Sequence, residues 1–79
     1  MNKDQEEMKK FLEEQVAWCK WQDNILEEIE NKLHEMKKIA EYARIHELPL
    51  IEVNKLNEQL NTLKQEVYAL EQQLQSQVH

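Results

Sequence analysis

Residues 53–74 read VNKLNEQLNTLKQEVYALEQQL, and within them Val53, Leu56, Leu60, Leu63, Val67, Leu70 and Leu74 recur at alternating steps of three and four. No polar residue interrupts the series. On an α-helix this spacing gathers the seven side chains into one narrow seam, the pattern by which one helix packs lengthwise against another. The flanking positions, Asn57, Lys64 and Glu71 on one side and Glu52, Gln59, Glu66 and Gln73 on the other, are mostly amides and carboxylates. Charge therefore selects a partner helix only weakly at this seam.

Upstream of the seam stands Pro49, the single proline of the chain. Proline lacks the N–H that a helix interior needs and disfavours helical geometry at the residue before it, here Leu48. The expectation is a first helix over about residues 4–45, a turn at 46–48, and a second helix over about 49–76 with Pro49 in its first position. Glu52 then falls in the first turn, where it complements the helix dipole. So short a connection favours an antiparallel hairpin.

The first helix is longer and less regular. Its best apolar series is Leu26, Ile29, Leu33, Met36, Ala40 and Ala43, with Ile25 and Ile39 widening the stripe as in a helix that faces more than one neighbour. Ala40 and Ala43, close to the turn, are expected to let the two helices approach closely. Further upstream Met8, Phe11, Leu12, Val16, Trp18 and Trp21 also fall at helical spacings, but Gln15 and Gln22 interrupt the register. Two readings stay open. The helix runs on through this irregular segment, or it breaks at 22–24, where Asp23 or Asn24 caps a new helix with Glu27 completing a capping box, and residues 4–21 fold back as a third helix. If it is continuous, it spans about 60 Å and outruns the second helix by about 20 Å. Residues 4–16 then overhang, and water rarely faces such an apolar patch uncovered.

Composition agrees with an all-α reading. The 79 residues make one domain, contain no glycine, and are 33% charged; without glycine, tight β-turns and left-handed caps are hard to build. A chain this short buries little core alone, so self-association is expected to add stability. The net charge is −6, shared between residues 1–40, with seven basic and ten acidic side chains, and residues 41–79, with three and six. The pairs Lys9–Lys10 and Lys37–Lys38 are isolated among glutamates, so neither nucleic acid nor anionic membrane is an expected partner. No segment approaches the roughly 18 apolar residues of a membrane span. The acidic, polar opening MNKDQEEMKK does not have the form of a signal peptide. A cytoplasmic location is expected.

No catalytic constellation emerges, and no cofactor, metal or small-molecule substrate is expected. Glu30 and His34 lie four apart, whereas the di-iron helix signature is Glu-x-x-His and occurs twice. His34, His46 and His79 have no metal-site spacing, and His79 reads as a frayed end. Cys19, the one cysteine, has no CxxC partner and reads as a packing residue. Glutamate runs such as Glu27–Glu28 read as solvated faces, supported by spacings of four like Glu6–Lys10 and Glu28–Lys32. Trp18 and Trp21 are the sharpest local signal, because tryptophan is enriched at interface hot spots. Met8, Phe11, Leu12, Val16, Trp18 and Trp21 are therefore the candidate protein-contact residues.

One resemblance goes beyond composition. Val53-Asn54-Lys55-Leu56-Asn57-Glu58-Gln59-Leu60-Asn61-Thr62-Leu63, with Ile29–Glu30 upstream, resembles the Spo0E-like family of Bacillus-type bacteria, whose second helix reads roughly V-x-x-L-S-Q-x-L-D-x-L. The resemblance implies a two-helix hairpin that acts on a phosphorylated response regulator. Asn57, Glu58 and Asn61 stand where that family carries Ser, Gln and its essential Asp. The alternative role implied by the resemblance is thus that of a Spo0E-like aspartyl-phosphate phosphatase or, with the essential Asp replaced, of a catalytically inactive relative that binds a response regulator. The expected architecture is an all-α antiparallel helical hairpin, a coiled coil, dimerising into a four-helix bundle. The expected function is non-catalytic protein–protein interaction, with a second copy or an unidentified protein as partner.

Overall fold

The computed structural model describes residues 2–76, so the expectation of a frayed His79 lies outside the described residues. Two helices account for nearly all of them: α1 over Lys3–Ile45, 43 residues, and α2 over Leu50–Ser76, 27 residues. The described chain is 93% helical and measures 70 × 19 × 12 Å. The helices lie antiparallel and side by side as a helical hairpin.

α1 begins at a capping box. The Gln5 backbone N–H donates to Asn2 Oδ1 at 2.9 Å, and the Asn2 N–H donates back to Gln5 Oε1 at 3.4 Å. Two of the otherwise unpaired donors of the first turn are thereby satisfied. Asp4 and Glu6 add negative charge at the positive end of the helix dipole. The helix passes through Gln22, Asp23 and Asn24 without a break. An internal cap there would sacrifice the helical hydrogen bonds of a whole turn, and no glycine or proline compels it.

The turn forms without any left-handed residue. His46 ends α1 in extended geometry, with φ −103° and ψ 139°. Its N–H donates to the Tyr42 carbonyl at 3.1 Å, its Nδ1 lies 3.0 Å from the same oxygen, and its ring stacks on Tyr42 with centroids 4.2 Å apart. Leu48 tucks in half-buried. Pro49 precedes α2 rather than opening it: its carbonyl accepts the first α2 bond, from the Val53 N–H at 3.1 Å. A shift of one residue at a helix end is ordinary.

The core is small. Ile25, Ile29, Val67 and Leu70 are between 7 and 9% exposed, and Trp21, Met36 and Leu74 pack around them. On α2 all seven seam residues from Val53 to Leu74 are buried or half-buried. On α1 the inward stripe differs from the expected series. It runs through Trp21, Gln22, Ile25, Ile29, Lys32, Met36 and Ile39, whereas Leu26, Leu33, Ala40 and Ala43 are exposed. The helices therefore do not meet through the alanines. The expected series ends downstream in the small side chains of Ala40 and Ala43. The observed stripe presents larger side chains, from Trp21 to Ile39, along the length of the α2 seam. It brings Lys32 to the helix–helix boundary, where Lys32 Nζ pairs with Glu66 Oε2 of α2. A lysine suits that place because its four-carbon stem packs on apolar neighbours while its ammonium reaches the edge.

Candidate protein-interaction surface

Both helices start flush at the turn, so the 16-residue excess of α1 projects beyond Ser76 by about 24 Å. Four of the six candidate contact residues lie on or at the root of this projection: Met8, Phe11, Leu12 and Val16, all more than half exposed. The other two sit where the projection joins the hairpin. Trp18 is half-buried, and Trp21 is half-buried against the core cluster. Trp21 thus contributes to closing the open end of the hairpin, and the apolar projection continues outward from it.

The concave strip along Met8, Leu12 and Val16 is lined from Asn2 to Lys20 by residues of one helix alone. A strip without an opposite wall does not enclose a small molecule, because ligand sites bury most of the ligand surface. It has the form of a helix-packing face.

The two flanks of the hairpin differ in character. One carries Glu28, Asn31, Lys32 and Glu35 of α1, with Glu58, Gln59 and Thr62 of α2. The other holds a shallow groove of about 180 Å³ lined by Leu33, Met36, Lys64, Val67, Tyr68 and Glu71. On that apolar flank Leu26 is 48% and Leu33 49% exposed, and Tyr68 is more than half exposed. The sequence reading placed Leu26 and Leu33 inside the hairpin and so missed this surface. The signal that reveals it is a seven-residue repeat, Leu12, Cys19, Leu26, Leu33 and Ala40, every member of which is exposed. At the closed end Ile45, Leu50 and Ile51 are also strongly exposed.

Charge is arranged on the outside. The Lys32 pKa is raised above its ordinary value, first by its hydrogen bond to Glu66; burial opposes this as the next largest effect, and the fields of Glu66, Glu28 and Glu35 add to the rise. Glu28, four residues before Lys32, thus acts on it through its field, while Glu66 takes the direct bond. Lys9 and Glu13 pair at 4.0 Å along the exposed overhang, a contact of little energetic weight. Among the described residues no group of three or more His, Cys, Asp or Glu side chains comes together as a metal site. None of the described helices is long and apolar enough to cross a membrane. Comparison with models of known families, with characterised proteins and with solved structures finds no match.

Proposed function

We propose that this chain is a non-catalytic interaction protein of the cytoplasm. It acts by packing its helices in coiled-coil fashion, and it dimerises into a four-helix bundle. One observation carries the reading: α1 leaves an apolar face in water from Met8 and Leu12 to Leu26 and Leu33. Contiguous apolar surface on this scale marks an association site. The overhang is the segment through which a further protein partner would be held. Sedimentation equilibrium of the full chain at micromolar concentration tests the proposal. The expected result is a dimer, and a strictly monomeric chain would overturn it.

A second reading follows from the Spo0E-like resemblance. The hairpin would bind a response regulator through α2 without hydrolysing its aspartyl phosphate. Asn61 supports this version because it is exposed on α2 and its amide cannot serve as carboxylate base or nucleophile. Binding of a phosphorylated response regulator, followed by titration with and without Asn61→Ala, tests it.

A further inference from the structure

We infer that two copies of this chain pack antiparallel about a two-fold axis passing at Leu26, along the exposed column Leu12, Cys19, Leu26, Leu33 and Ala40. This rests on the dimer reading above and specifies its surface, direction and register.

The column is self-complementary. Its members lie seven apart and are symmetric about Leu26. A two-fold axis there sets Leu12 against the partner's Ala40, Cys19 against the partner's Leu33, and Leu26 against its own copy. Large side chains thus meet smaller ones at the ends, and an isologous interface requires this reciprocal pairing. The column runs about 42 Å.

The same axis places both overhangs. Residues 3–17 of one copy lie beside residues 35–49 of the other, at the closed end of its hairpin. The projecting helix thereby gains a neighbouring hairpin in place of water. An in-register parallel dimer would set overhang against overhang, with no α2 alongside either. The apolar groove of Leu33, Met36, Val67 and Tyr68 opens on the flank that carries the column. The opposite flank is lined mainly by polar and charged side chains, so the surface has one preferred side.

Charge favours the same direction. Residues 3–17 carry five acidic and three basic side chains, and residues 35–49 carry three of each sign. Antiparallel packing sets the acidic overhang beside a segment without net charge, whereas parallel packing sets it against a second acidic overhang. Near the axis Glu30 falls opposite the partner's Gln22, an amide, where parallel packing would put it beside the partner's Glu30. Like charges so placed disfavour the wrong alignment more than unlike charges strengthen the right one.

Cys19 supplies the test. Across an antiparallel dimer the two copies of Cys19 are 14 residues apart along the axis, about 21 Å, whereas a disulfide needs Cα atoms within about 7 Å. Wild-type chain is mixed with the double variant C19A/L33C and oxidised with glutathione disulfide, and sedimentation equilibrium is run on the same samples. The expected product is a mixed disulfide between Cys19 of one chain and the thiol introduced by L33C in the other, at least tenfold above the cross-linking of either chain alone. A dimer in which wild-type chain alone cross-links as fast as the mixture overturns the antiparallel register and leaves the dimer reading standing. A monomer in every sample overturns both. A nitroxide on Cys19 of the otherwise unchanged protein gives a second measurement. A spin–spin distance of about 20 Å or more supports the antiparallel register, and one below about 10 Å refutes it.

Discussion

Leu70→Ala is the sharpest test of the hairpin. Leu70 is only 8% exposed and touches the cluster of Ile25, Ile29 and Val67. Burying a leucine side chain is worth about 1.5–3 kcal/mol. Truncating it to alanine in a packed core costs about 2–5 kcal/mol, the lower part applying where the site can collapse. Here the core is two helices thick and open at both flanks, so relaxation is easy and the expected loss is about 2–3 kcal/mol. A chain of this size has a total stability of only some 4–12 kcal/mol. The midpoint of thermal unfolding should therefore fall by about 10–20 °C. Circular dichroism at 222 nm follows the transition, with wild type and variant held at one protein concentration because self-association raises apparent stability. Leu33→Ala is the matched control. Leu33 is 49% exposed in the hairpin, so in dilute solution its loss should shift the midpoint by less than half as much, while weakening dimerisation at high concentration. A Leu70→Ala shift of under about 3 °C, or equal shifts for the two variants, would show that the wrong stripe has been placed inside.

Other outcomes follow from the same geometry. Far-UV circular dichroism of the full chain should show more than about three-quarters helix, well above the third usual for globular domains, and a spectrum with substantial sheet would refute the architecture. Leu60→Asp or Leu63→Asp should be severely destabilising, since each puts an unpaired carboxylate in the α2 seam; an unchanged melting midpoint would count against the seam. Glu66→Gln removes the carboxylate that raises the Lys32 pKa. Because a raised lysine pKa stabilises the fold below the unfolded value and the benefit disappears as pH climbs through the folded one, wild type should exceed the variant near neutrality. The difference should fade above the ordinary lysine value of 10.5. A difference unchanged across that alkaline range would show that it does not come from the charge on Lys32. Incubation with a phosphorylated response regulator should release no phosphate beyond background, because Asn61 offers no carboxylate, and turnover abolished by Asn61→Ala would contradict this.

How much of this was legible in the sequence depends on the element. The α2 seam was readable because seven apolar residues occupy one column and nothing competes with it. α1 was harder because it carries two apolar columns that share Ile29 and Met36. Counting apolar residues favours the column of Leu26 and Leu33, and Lys32 looks like a disqualification for the other. The structure resolves the choice through side-chain size and through Glu66, a partner on the opposite helix that no single-helix pattern displays. The cap at Asn2 and Gln5 was present in the sequence as Asn-x-x-Gln and would have set the start of α1. The overhang was legible from helix length alone. The apolar flank was not, because its exposure follows only after the inward stripe is known.

The two columns of α1 also explain why one helix is long and doubly apolar while the other is short and singly so. Ile25 and Leu26, adjacent in sequence, point about 100° apart around the helix. That spread lets one helix face two neighbours at once. On the proposed dimer α1 meets its own α2 through Ile25, Ile29 and Met36, and the partner's α1 through Leu26 and Leu33. α2 needs only one full seam because it stands at an outer corner, with Tyr68 alone leaning toward the shared side. An assembly of this kind puts the most apolar helix at the centre of both contacts. Substituting Leu26 should then separate the copies while leaving each hairpin folded, whereas substituting Ile25 should unfold the hairpin and separate the copies as a consequence.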